Sequence, residues 1–303
     1  MHPLRVALAG FIDYAGLFPP ASLDLDRTAA NHRRYAASSD AWLLGRLIVP
    51  AQRLGDLSAL LPKTPNEDAT TGWTISALLT AASLPVDLEA VRRFNASHAP
   101  LVAVVSVETP AAAVTDVVRV SQSVDPSLER YIELPIGDET ETLLDAVRDL
   151  GCYAKLRTGG ATPDRFPSAR DVARVLAGCQ SRRVPLKATA GLHHPVRSVF
   201  SATGSADGPQ ALMHGFVNVL VAAVLCATGW RDQDQLERVL EEQNPRAFTM
   251  ENDGIRWRDA VVSNADCAEA RAQLLRSVGS CSFEEPIDDL RNLGWWPAQA
   301  PTL

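Results

Sequence analysis

Lysine is nearly missing from this chain: only three of its 29 basic residues are lysine, and the other 26 are arginine. Long apolar runs are missing too. The longest candidate, FVNVLVAAVLCATGW (216–230), falls short of the ~20 residues that a membrane span needs, which excludes a membrane partner and leaves a core helix. The N-terminal MHPLRVALAG has neither a long apolar region nor a cleavage-like site, so no signal peptide is expected. The five cysteines form no CxxC pair and no dense framework, as suits reduced thiols and a cytoplasmic location. An excess of positive charge is also absent. A net charge of −7 and a pI near 5.4 argue against nucleic acid as a partner.

The scarcity of lysine gives weight to where the three occur. Lys63 sits in the polar stretch LPKTPNED, an ordinary place for a solvated charge. Lys155 and Lys187 instead interrupt the apolar runs CYAKL and VPLKATA. Arginine keeps its proton under all protein conditions, whereas a desolvated lysine can become a neutral amine. A lysine used where arginine is the default cation therefore points to chemistry that arginine cannot perform.

From about residue 40 the chain alternates short apolar runs with amphipathic stretches. The runs are 42–50, 72–79, 101–108, 130–136, 152–157 and 184–190, and 10–16 adds an earlier one. Helical patterns follow at 23–38, 51–61, 86–97, 110–123, 138–150 and 166–181. Strand–helix alternation implies parallel βαβ units, and this many of them predicts a (β/α)₈ TIM barrel spanning 1–303 as a single domain. Beyond the seventh strand the pattern predicts a long apolar helix over 209–229 and a polar one over 232–242. It then gives an inserted β-hairpin over 246–263 around the turn NDG, a helix over 264–277, an eighth strand over 277–286 and a last helix over 287–293. The two tryptophans of the tail GWWPAQAPTL are expected to pack on the barrel's outside.

Strand parity places side chains. In CYAKLRT, residues Tyr153, Lys155 and Arg157 share one face, and in VPLKATA Lys187 and Thr189 do. Glu133 faces the same way in RYIELP. The all-apolar faces must meet the helices, so these polar residues are expected inside, near the carboxyl ends of the strands where barrel active sites are built. The same logic adds Asp13, Glu108 and Glu284. Two lysines on adjacent strands, ~4.8 Å apart, should repel each other's charge, leaving one partly neutral and able to form an imine. The structural alternative is an interior Lys–Glu network that merely fills a polar barrel.

The segment AKLRTGGATPDRFPSARDVARVLAGCQSRRVPLKATAGL resembles the core of deoxyribose-phosphate aldolase, a class I aldolase on an eight-stranded barrel. Lys155 opens KLRTGG as the imine-forming lysine does there. Lys187 opens KATAG, 32 positions on, as the second lysine does, and GSCS (279–282) is similar to the family's phosphate nook. The resemblance implies a carbon–carbon lyase acting through a lysine imine, with no cofactor and no metal. Lys155, Lys187, Glu133 and His194 are then the expected catalytic residues, and Asp13, Glu108, Arg157, His193 and Glu284 the expected substrate-binding ones. The sequence departs from that pattern at Ala190, where a glycine is expected, and in FEEP after the nook, whose two acids would repel a phosphate. FIDYAGLFPPA and GSCSFEEP read as signatures with no assigned role. The expected partner is a small molecule, and a homo-oligomer is left open.

Two further readings compete with that one. Among the six histidines, His193 and His194 adjoin in GLHHP and His214 follows in LMHGF. A metal held by His193 or His194, His214, Asp13 and Glu284 would give a metal-dependent hydrolase or lyase, although no HxH or HExxH spacing is present. A barrel that binds a metabolite without catalysis is the third.

Overall fold

The computed structural model describes residues 2–61, 72–205, 207–230 and 232–296, so Lys63 and the last seven residues of the tail lie outside the described residues. Eight strands close into a parallel barrel: β1 (Ile12–Tyr14), β2 (Leu44–Pro50), β3 (Trp73–Leu78), β4 (Val102–Pro110), β5 (Glu129–Leu134), β6 (Tyr153–Arg157), β7 (Leu186–Thr189) and, as the eighth, β13 (Leu275–Ser280). Helices 25–36, 54–60, 84–98, 114–123, 140–149, 169–182 and 216–227 ring the barrel, with 284–292 closing it after the last strand. The expected (β/α)₈ TIM barrel is the observed architecture. No helix among the described residues is long and apolar enough to cross a membrane.

Local signals account for the clean alternation. Leu47, Val49, Ile75, Ala77, Val102, Val104 and Val107 are buried in strands covered on both faces, as a parallel sheet requires. Helix 169–182 starts where Ser168 accepts the Asp171 N–H and ends at Arg183 in the left-handed region, φ 56°. Register then fixes the interior. Glu133 pairs with Lys155, Lys155 with Lys187, and Lys187 with Ser277, so four polar residues stand on one rung across β5, β6, β7 and β13.

The C-terminal third departs from expectation in three places. Residues 209–215 are not helical. They hold β9 (Gln210–Met213), which pairs antiparallel with β8 (Ser198–Ser201). Period-two burial wins there because Ala211 and Met213 pack into a small cluster with Ala202, Phe166 and Phe200. The helix begins at Phe216, after Gly215, where a Cβ would collide with the Asn218 side chain and the Pro195 carbonyl. The insertion at 246–263 is a three-stranded meander, β10 (Phe248–Glu251), β11 (Gly254–Trp257) and β12 (Ala260–Ser263), because a second tight turn at Arg258, φ 51°, adds a strand to the hairpin. The eighth strand stops at Ser280, and a helix starts at Glu284. Pro286 decides that boundary, since proline fits the first turn of a helix but breaks a strand ladder. Trp295 and Trp296 do pack outside the barrel, Trp296 against Trp42 at 5.1 Å.

Candidate active site

Inside the barrel lies a cluster of three cations and three carboxylates. Lys187 Nζ donates to Asp13 Oδ2 and Glu108 Oε1, both at 2.6 Å. Lys155 Nζ lies 2.8 Å from Glu108 Oε2 and 2.9 Å from Glu133 Oε2. Arg157 Nε donates to Glu133 Oε1 at 2.9 Å. Glu108 thus joins the two lysines, and it also accepts from Ser76 Oγ at 2.7 Å. Asp13 is held by the Arg46 N–H at 2.8 Å and the Ser277 hydroxyl at 2.8 Å. Few buried polar groups lack partners in this cluster, as burial in a low-dielectric interior demands.

The lysines do not act on each other alone, which corrects the expectation of mutual repulsion. Burial disfavours the charge on Lys187, but Asp13 and Glu108 outweigh it and hold its pKa above the ordinary lysine value. Burial likewise opposes the charge on Glu108, yet Lys155 and Lys187 keep its carboxyl far below the usual range. For Glu133 the same contest between burial on one side and Lys155 and Arg157 on the other also ends below the usual range. Interleaved carboxylates explain the difference, and strand spacing alone did not reveal them.

A cavity of about 270 Å³ opens above this cluster at the carboxyl ends of the strands. Glu108, Lys155, Arg157, His193 and His194 line it, as expected. Four expected residues do not: Glu133 stands behind Lys155 and Arg157 and reaches the cavity only through them, and the other three lie elsewhere. Lys187 has no solvent exposure and lies beneath the cavity, with its ammonium 5.3 Å from the Tyr131 ring. Asp13 faces a second cavity at the opposite end of the barrel, together with Arg46, Tyr131, Arg271 and Arg276. Glu284 turns to the outside, where Arg34 Nη1 meets it at 2.7 Å and the Tyr35 hydroxyl donates to it at 3.3 Å. The helical turn that begins at Glu284 sends the next residue, Glu285, into the cavity instead.

Glu285 and Cys281 are the site residues that sequence reasoning missed. His193 Nδ1 lies 3.1 Å from Glu285 Oε2 and 3.3 Å from Ser280 Oγ, and Cys281 Sγ is 3.8 Å from both ring nitrogens. Burial works against the imidazolium, but Cys281 and Glu285 outweigh it and raise the His193 pKa to about 10. His194 serves another purpose: Asp289 Oδ2 holds its Nδ1 at 2.6 Å, and its ring stacks on Phe200 of β8 at 3.4 Å. It anchors the β8–β9 hairpin at the cavity's edge.

The metal set is not brought together. His214 is buried elsewhere, accepting from Arg197 at 2.8 Å and donating to the Pro167 carbonyl at 2.8 Å, and burial followed by Arg197 lowers its pKa to about 4. Among the described residues no group of three or more His, Cys, Asp and Glu side chains is arranged to hold a metal ion. Comparison with protein-family models and with curated proteins finds no match for this chain. Function must therefore be argued from the site, on a fold that commonly carries enzymes.

Proposed function

We propose that the protein is a carbon–carbon lyase of the class I aldolase type, with Lys155 as the imine-forming amine. One observation carries this reading: among the described residues Lys155 is the primary amine that lines the cavity, and it touches two carboxylates, Glu108 and Glu133, within 2.9 Å. Its partner Lys187 is sealed below and supplies fixed charge.

In this reading a carbonyl substrate displaces water from the mouth, and drying the site makes proton transfer from ammonium to carboxylate less costly. Lys155 passes a proton to Glu133 and its nitrogen adds to the carbonyl carbon. His193, protonated at neutral pH, gives its proton to the carbinolamine hydroxyl, which leaves as water and generates the protonated imine. Loss of the proton from the substrate's β-hydroxyl to a carboxylate then sends the carbon–carbon bonding pair toward the imine nitrogen. The aldehyde fragment departs, and the enamine is reprotonated and hydrolysed. Glu133, paired with Arg157, belongs to the proton path rather than leaving Arg157 free to clamp a substrate carboxylate.

Borohydride reduction in the presence of candidate carbonyl compounds, followed by peptide mapping, tests the reading. The expected result is a reduced adduct on Lys155 that is absent in Lys155→Arg, since arginine keeps the charge but cannot form an imine. Turnover that survives intact in Lys155→Arg removes the imine, and its abolition by EDTA would then assign a metal mechanism. Tight binding with no turnover would assign a metabolite-binding barrel.

A further inference from the structure

We propose that the ligand of this cavity is an uncharged aldehyde or ketone with an apolar body, an alkyl or aryl carbonyl compound rather than a sugar phosphate or a keto acid. The inference rests on the imine reading for its carbonyl, and on charge pairing and wall chemistry for the rest of the molecule.

Charge comes first. Among the described residues, each cation at the mouth has a carboxylate in contact: Lys155 has Glu108 and Glu133, Arg157 has Glu133, and His193 has Glu285. Beneath them Lys187 has Asp13 and Glu108. Four cations thus meet four carboxylates. A phosphate or carboxylate entering the cavity would find no unmatched positive charge among the described residues and would approach Glu285, which sits in the first turn of helix 284–292, where an anion cradle would need a bare helix N-terminus. Burying such an anion unpaired is strongly unfavourable.

The walls give the second argument. Beside the ionic groups the lining is largely apolar, with Phe18, Pro19 and Pro20 from the loop after β1, Ile48 and Leu78 from β2 and β3, and Phe166, and its hydroxyls are those of Thr189 and Ser201. Phe166 is seated on two glycines. A Cβ at Gly159 or at Gly191 would lie 2.7 Å from its ring, so only bare backbone lets the phenyl plane rest there. Gly191 also holds φ 72°, a second reason for glycine. Gly159 and Gly191 therefore hold an aromatic plate in the wall of the cavity that Lys155 lines. The unassigned signatures also find their place: the FPP of FIDYAGLFPPA forms part of the apolar wall, and GSCSFEEP supplies Cys281 and Glu285. A polyhydroxylated sugar would find two hydroxyl side chains, Thr189 and Ser201, and would leave most of its own hydroxyls against the apolar wall without partners.

Two measurements on the full chain test the inference separately from the imine. The first is binding of non-electrophilic analogues, benzyl alcohol and 1-hexanol against glycerol 3-phosphate and lactate, followed by isothermal titration. The second is borohydride trapping with benzaldehyde and hexanal against glyceraldehyde 3-phosphate and pyruvate, mapped to Lys155; the near-absence of other lysines keeps the map simple. The expected result is that the apolar alcohols bind and the apolar aldehydes label Lys155 preferentially. Phe166→Asp should weaken both by about tenfold or more, while Phe166→Leu retains them. Binding of the alcohols with no labelling of Lys155 upholds the ligand class and removes the imine. Labelling by pyruvate or glyceraldehyde 3-phosphate in preference to benzaldehyde and hexanal overturns the ligand class and leaves the imine standing. Absence of both alcohol binding and aldehyde labelling overturns it as well.

Discussion

Lys155 and Lys187 are register partners on adjacent strands, point into the same barrel and share the carboxylate of Glu108, yet they occupy different worlds. Lys187 is fully enclosed, with Asp13 and Glu108 at 2.6 Å. Lys155 keeps 6% of its surface and opens on the cavity. The difference shows that on one rung of a barrel the same residue type can be a structural ion or a reagent, and that what decides is the space above it.

The largest expected effect tests the structural half. Lys187→Met leaves Asp13 and Glu108 buried without their common cation and should destabilise the fold by about 3–5 kcal/mol in urea unfolding. Adding Asp13→Asn should recover part of that loss, because the two residues are in contact and not additive. Lys155→Met should cost about 1.5–3 kcal/mol, since Glu108 retains Lys187 and Glu133 retains Arg157, while it abolishes the borohydride adduct. Equal stability losses in the two variants would break the comparison.

Proton linkage sharpens it. The buried carboxylate Glu108 binds its proton more weakly in the folded state, so its contribution to stability is present above pH 4.5 and is lost as pH falls further. His193, at the mouth, binds its proton more tightly when folded. Its contribution is complete below pH 6.5 and disappears as pH rises through about 10. Stability–pH curves should therefore lose the decline that begins near pH 6.5 in His193→Gln, while keeping the acid limb and the steeper loss at higher pH, where Cys267 and Lys187, both raised in the fold, lose their protons. Glu285→Gln should shift the His193 decline to lower pH.

The smallest effect concerns the cavity's edge. Phe200→Ala removes the stack on His194 and should cost about 1 kcal/mol, with faster amide exchange confined to β8 and β9.

The barrel and much of its polar interior were legible because both follow from periodicity. Strand parity alone sends Glu133, Lys155 and Lys187 inward, and the strand ends supply Glu108. Depth was not legible: nothing in VPLKATA tells Lys187's enclosure from Lys155's exposure, because that depends on where β1, two strands away around the barrel, places Asp13. The β8–β9 hairpin was hidden by its own composition, since ALM before HGFVNVLVAAV extends an apolar helical pattern backward. Glu284 and Glu285 were misassigned by one residue, as a helix beginning at residue 284 points successive side chains about 100° apart. The readable clue was Pro286, which placed a helix start where a strand was expected.

The six groups Arg157, Glu133, Lys155, Glu108, Lys187 and Asp13 form a row of strictly alternating sign with 2.6–2.9 Å contacts, like ions along one edge of a salt lattice. A protonated imine carries the same single charge as the ammonium it replaces, so the lattice survives covalent attachment of a neutral carbonyl compound. Acylation of the same nitrogen would leave a neutral amide and set two anions side by side. The row therefore sorts electrophiles by the charge they leave behind: it tolerates those that preserve a cation at Lys155 and resists those that erase it.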